Sequence, residues 1–264
     1  MNRYGKGESS MFNRVELKEN AKQALKHFYA IALLACFLYS LLSGDFFDMW
    51  GNFRGTLESI FRGDFFVYFN RFRELAENSP YLYWGNAYYY RHGGVLLAFI
   101  IGSILFWIRT VIKYAYRFFV VAIADVGMNS FFLKNRHQDT KINELLTPFQ
   151  TNYMNQVKVL FIQNLYIFLW SLLFVIPGII KSYEYYFVSY LLAEQSDLTI
   201  EQALSLSRKM TDGEKWNIFV FELSFIGWFL LGSLLGGIGW ILVLPYYRAA
   251  KTELYVCLKE RKLL

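Results

Sequence analysis

The chain has 264 residues, 55% of them hydrophobic and 20% aromatic, with only 18% charged. Soluble domains carry about 25% charged residues, and the apolar residues here come in long runs, so the composition excludes an ordinary water-soluble core and points to bilayer burial. The formal charge of +6 does not argue for nucleic acid, because the basic residues cluster beside the apolar runs as cytoplasmic flanks do, and no nucleic-acid-reading motif occurs.

Residues 14–43 read as a basic amphipathic helix followed by a first crossing. Arg14, Lys18, Lys22 and Lys26 recur at four-residue spacing, with Val15, Leu17, Ala21 and Leu25 largely on the other side, which predicts a helix lying on the inner leaflet. The apolar run from Phe28 to Ser43 then stops at Gly44-Asp45. Glu16 and Glu19 precede that run and no small-residue cleavage site follows it, so a retained helix is expected rather than a signal peptide.

Residues 44–93 form an aromatic insert, expected outside the cytoplasm. Leu57, Ile60, Phe61, Phe65, Phe69 and Phe72 recur at three- and four-residue steps and predict amphipathic helices ending at Pro80. Tyr81, Tyr83, Trp84 and Tyr88 to Tyr90 suit an interfacial aromatic belt. Residues 94–133 carry the second crossing, from Val95 through Ile108. Arg109, Lys113 and Arg117 then share one helix face, and Phe118 to Phe132 is expected as an elbow or continuation.

A polar loop follows, with a short helix around Ile142 to Leu146. Residues 157–194 read as a helical hairpin: a third crossing from Val157 to Ile176, a turn at Pro177-Gly178, and a fourth crossing from Ile179 to Glu194. Within 195–215, Thr199 to Gln202 fits a capping box that opens a cytoplasmic helix with Ile200, Ala203, Leu204, Ser207 and Met210 inward. Residues 216–257 hold the last two crossings around Gly236-Gly237, and the tail from Lys259 to Lys262 is basic. The expectation is a single all-α, polytopic membrane bundle of about six transmembrane helices with amphipathic interfacial helices. Most Lys and Arg residues then fall inside, with both termini cytoplasmic; Lys181 is among the few placed outside.

Several blocks resemble a known family. The stretch from Trp170 to Tyr186, through Pro177, Gly178, Lys181 and Glu184, is similar to a signature of bacterial membrane proteins grouped as domain of unknown function 975. Ala203 to Met210 with Gly213, Lys215 and Trp216, then Leu223 to Trp228, then Pro245-Tyr246, follow in that family's order, and Arg14 to Lys22 is similar to its opening. The insert 44–93 and the basic stripe at Arg109, Lys113 and Arg117 depart from the pattern. The resemblance implies a multi-helix fold in a bacterial cell membrane and carries no activity.

Charges inside a bilayer are costly and prompt functional hypotheses. Glu222, Arg248, Arg109, Lys181 and Glu184 are the candidates. Glu222 is expected to face the bundle and pair with Arg248 or Arg109, Lys181 and Glu184 to pair with each other near the outer end of the fourth crossing, and the Arg109 stripe to snorkel to inner headgroups. Pro177, Gly178, Gly227, Gly232, Gly236 and Pro245 are candidates for helix packing or hinges.

Cys36 and Cys257 read as small buried hydrophobes. His27, His92 and His137 lie in separate segments, so no metal or other cofactor is expected. No nucleophile, metalloprotease or phosphate-loop pattern occurs, so no enzyme is expected. The expected partners are membrane lipids, with anionic headgroups on the cytoplasmic face, and a membrane protein or a second copy of the chain. A non-catalytic scaffolding or accessory role leads. The alternative is a small transporter or lipid-handling protein using intramembrane charges.

Overall fold

The computed structural model describes residues 12–44, 87–136, 141–234 and 238–263, and among these every regular element is helical. The chain divides into two compact units, Phe47–Arg117 and the combination of Met1–Phe46 with Phe118–Leu264. Of the aromatic insert, only Gly44 and the residues from Ala87 onward lie within the described residues.

In the larger unit, α1 (Arg14–Ser43) is capped by Asn13, whose side chain accepts from the Val15 N–H, and ends on Gly44 in the left-handed region at φ 79°. Glycine takes that conformation without a Cβ clash. Phe28 leaves helical geometry (φ −126°, ψ 19°), at the junction expected between the amphipathic segment and the apolar run. Leu17, Ala21 and Leu25 are buried in the protein core, whereas Val15 is exposed. The apolar stripe that was expected to meet the inner leaflet therefore meets protein. Its most extensive partner is the last helix of the chain.

In the smaller unit, α2 (Ala87–Tyr116) is a 30-residue helix. It starts earlier than the expected crossing at Val95, so Tyr88 to Tyr90 are helical. From Ile100 onward Ile104, Leu105, Phe106, Trp107, Ile108, Val111 and Ile112 are all exposed, as are Arg109, Lys113 and Arg117.

The expected elbow is a π-helical turn, Arg117–Val121, followed by α3 (Ala122–Lys134). Its residues from Ile123 to Phe132 are buried apart from Asp125. A helix apolar all round belongs in a core, and α3 occupies the centre of the larger unit. A Cβ on Gly127 would stand 2.2 Å from the Leu145 carbonyl oxygen, so glycine there lets the 3-10 turn Ile142–Leu146 and the short α4 (Thr147–Gln150) lie against α3.

The predicted hairpin exists with a different turn. Helix α5 (Tyr153–Leu173) and α6 (Val175–Glu184) meet at Phe174, which alone is extended (φ −156°, ψ 146°). Pro177-Gly178 is not the turn. Pro177 lies in the first turn of α6, where a missing N–H costs nothing. Gly178 is a packing residue: its Cβ would fall 2.0 Å from Ser171 Oγ.

The expected fourth crossing is two short helices, α6 and α7 (Val188–Glu194), interrupted at Tyr185 to Phe187. Helix α8 (Ile200–Thr211) has the predicted capping box, with Thr199 N–H to Gln202 Oε1 at 3.0 Å and Gln202 N–H to Thr199 Oγ1 at 3.3 Å. Ala203, Leu204, Ser207 and Met210 are buried as expected, and Gly213 at φ 74° ends the segment.

Helices α9 (Lys215–Leu234) and α10 (Ile238–Leu263) form the second hairpin. Gly232 and Gly239 touch across it, a Cβ on Gly239 coming within 2.6 Å of Gly232 Cα. Gly236, the other candidate packing glycine of that spacing, lies outside the described residues. Gly227 faces open space, so it makes no such contact. Pro245 does not break α10; the helix runs through it. Three residues before it, the Leu242 carbonyl accepts the Tyr29 hydroxyl of α1 at 3.3 Å.

Residues Ala249 to Leu258 of α10 are buried except for the half-buried Lys251. They form the main core with α1, α3, α7 and α8. The opposite ends of the two hairpins expose Phe168, Leu172, Leu173, Phe174, Val175, Ile176, Leu230, Leu231, Trp240 and Leu242. Among the described residues, α1 and α5 are long and apolar enough to cross a membrane.

Candidate functional site

The site grows from the interruption between α6 and α7. A helix break inside a packed protein frees backbone groups that must find other partners. Here three of them find side-chain partners. The Glu184 carbonyl accepts Ser207 Oγ at 2.8 Å and Thr211 Oγ1 at 3.3 Å, and the Tyr185 carbonyl accepts Gln163 Nε2 at 3.1 Å. The Phe187 N–H donates to Ser207 Oγ at 3.3 Å. Side chains from α5 and α8 thus replace the missing turn, and no glycine or proline is needed to make it.

Around this break the polar groups converge in two neighbouring clusters. Glu222 of α9 accepts three tyrosine hydroxyls: Tyr186 at 2.5 Å and Tyr247 at 3.1 Å on Oε1, and Tyr183 at 3.2 Å on Oε2. Lys251 stands over the Tyr186 ring, 4.1 Å from its centroid, a cation–π contact in a largely apolar setting. Behind them Arg248 donates to Asp125 Oδ1 at 2.6 Å and Asn129 Oδ1 at 3.4 Å, with its guanidinium 5.0 Å from the Tyr39 ring. Asn129 in turn donates to Ser189 Oγ at 3.0 Å. The pair is heavily buried, with side-chain exposures of 11% for Arg248 and 30% for Asp125.

The expected pairing of Glu222 with Arg248 is therefore corrected: the carboxylate is held by hydroxyls, and the guanidinium by Asp125. A buried charge needs hydrogen-bond partners as much as a counter-charge, and the tyrosines supply them. Arg109 belongs to the other unit, Phe47–Arg117.

The second cluster surrounds Glu184. Lys181 bonds its Oε2 at 2.6 Å, as the three-residue spacing predicts, and two further cations join: Lys215 at 3.5 Å on Oε1 and Arg208 at 3.7 Å on Oε2. The Tyr185 hydroxyl, which accepts from Arg208, and then Glu184 raise the Arg208 pKa above its ordinary value. Lys181 also lies over the Trp170 ring, 5.3 Å from its centroid. Arg208 and Lys215 belong to the segment expected on the cytoplasmic side, so Lys181 and Glu184 stand level with it rather than at the outer end of a crossing. The break at Tyr185 is what brings the end of α6 to α8.

Sequence reasoning singled out Glu222 and Arg248 but not the residues that hold them, and it gave the Lys181–Glu184 pair without Arg208 and Lys215. The tyrosine steps 183, 186 and 190 and the lone carboxylate Asp125 in an apolar run were the available signals. Farther down, Arg136 clamps Glu253 through two bonds at 2.7 and 3.0 Å. A pocket of about 1200 Å³ lies at that end. Much of its charged rim is already paired, Lys134 with Glu144 and Lys259 with Glu194. No group of metal ligands occurs among the described residues.

These features define an all-helical protein with two tight helical hairpins, one returning arm broken around a polar seam, and extensive outward apolar surface. Residues 172–262, from the end of α5 to the end of α10, match the family model described as "Protein of unknown function (DUF975)". No curated protein and no solved structure matches the chain.

Proposed function

We propose that the chain is a non-catalytic integral membrane protein of the bacterial cell membrane, acting as a scaffold or accessory to another membrane component. The carrying observation is the outward apolar surface. Val175 and Ile176 at the first hairpin tip are 70% and 71% exposed, and Leu172, Leu230 and Leu231 are exposed with them. A soluble protein rarely leaves a patch of that extent in water.

Helix lengths argue for a different disposition than six full crossings. Beyond Glu184, α6 reaches about 15 Å to its tip, and beyond Glu222, α9 reaches about 18 Å, roughly half of a ~30 Å hydrocarbon core. We read α1 and α2 as crossings and the two hairpins as re-entrant from the cytoplasmic side, α5 burying Gln156, Val157, Val159 and Leu160 in the protein although its 21 residues are long enough to cross. The polar base of α3, α7, α8 and the lower α10 then stays with both termini in the cytoplasm. The three tyrosine hydroxyls on Glu222 and the Asp125 carboxylate on Arg248 support a role in fixing helix register rather than in chemistry.

One observation favours a transporter or lipid-handling protein instead. The α6–α7 interruption is a discontinuous helix at a polar seam, and such helices border binding sites in transporters. Gentle extraction of the tagged protein from its own membrane, with mass spectrometry of everything retained, separates the two. The accessory reading expects a stoichiometric protein partner. A retained solute without any partner would sink it and favour transport.

A further inference from the structure

We infer that Lys181, Arg208 and Lys215 form a seat for a phosphate-bearing anion, and that its occupant is the headgroup of an anionic phospholipid. Three cations from α6, α8 and α9 converge on one carboxylate, Glu184, leaving an excess of two positive charges at one point. Like charges gathered this closely repel, and a further anion relieves that repulsion. Arg208 keeps 56% of its side chain exposed and Lys215 keeps 29%, so both retain donors for an incoming group. Arginine and lysine together are the usual recognition set for phosphate oxygens.

The surroundings select a lipid over a soluble phosphate. Trp216, beside Lys215, is 72% exposed, and Trp170, under Lys181, is also exposed. Tryptophan favours the headgroup level of a bilayer. On the tip side of the cluster the exposed residues are Leu172, Leu173, Val175, Ile176 and Ile179, a surface for acyl chains. On the other side, α8 presents Glu201, Gln202, Ser205 and Lys209 to water. The cluster therefore sits at a boundary between apolar and polar surface, as an anionic headgroup does.

This inference rests on the membrane reading above, and the test separates the two. The full-length protein is first floated with phosphatidylcholine vesicles; failure to float overturns the membrane reading and the lipid seat with it. The protein is then purified in mild detergent with equimolar phosphatidylglycerol and phosphatidylcholine, and the retained lipids are counted by mass spectrometry. Wild type is expected to enrich phosphatidylglycerol, and Lys181→Gln, Arg208→Gln and Lys215→Gln each to lower that enrichment about five-fold. Each variant leaves Glu184 two cations, which guards against misfolding, and Glu184→Gln is expected to raise the enrichment. Floating protein with no phosphatidylglycerol preference, or variants that retain it unchanged, overturns the seat alone. Displacement of the lipid by inorganic phosphate would make the ligand a soluble phosphate and overturn the lipid assignment.

Discussion

Asp125→Leu leaves the Arg248 guanidinium buried without its counter-ion, and breaking such a pair costs about 3–5 kcal/mol. The lower end is expected, because Asp125 keeps 30% of its side chain exposed. The double variant Asp125→Leu with Arg248→Met removes both charges and should recover most of that loss. Thermal unfolding in detergent measures all three; equal destabilisation by the single and double variants would show that the pair is not a unit. Glu222→Gln keeps one acceptor but turns the other oxygen into a donor facing the Tyr183 hydroxyl, for an expected loss of about 1–3 kcal/mol. Glycine 178 and glycine 227 make a matched contrast. Gly178→Ala drives a Cβ into Ser171 and is expected to destabilise by about 1–3 kcal/mol, whereas Gly227→Ala meets nothing within 4 Å and should change stability by less than about 1 kcal/mol.

At the level of elements, the α6–α7 interruption depends on groups far away in the chain. Ser207→Ala removes the hydroxyl that bonds both the Glu184 carbonyl and the Phe187 N–H. The buried Phe187 N–H then loses its partner, at about 1–3 kcal/mol, while the Glu184 carbonyl keeps the Thr211 hydroxyl at 3.3 Å. Hydrogen exchange should show the Tyr185 to Val188 amides opening faster, with α9 unchanged; uniform loosening of the whole unit would mean that the break is not a local device. Helix α8 was legible in advance because its determinants are local: a threonine cap, a glutamine three residues on, and apolar steps on one face. The break was not. Glu-Tyr-Tyr-Phe contains no helix breaker, and only Gln163, Ser207 and Thr211, brought close by folding, make it stable.

Across the whole molecule, the apolar hairpin tips and the polar base predict opposite chemical accessibility. Cys36 and Cys257 are both buried, so single cysteines placed at Leu172 and Ser205 report cleanly. In intact membranes a water-soluble maleimide should label Ser205→Cys from the cytoplasmic side and leave Leu172→Cys unlabelled. Labelling of both at equal rates would mean that the hairpin tip is not in lipid. Composition and run length determined the helical class, the capped α8 and the two hairpins, because hydrophobic periodicity and caps act within a few turns of chain. Turn positions shifted where packing intervened: Gly178 serves its contact with Ser171, and Phe174 alone reverses the chain. Partner choice among charges was decided only by tertiary structure. Glu222 and Arg248 were visible as costly charges within apolar runs, but which buried group satisfies which depends on side chains converging from distant helices. No spacing along the chain encodes that Asp125 meets Arg248, or that Lys181 stands level with Arg208 and Lys215.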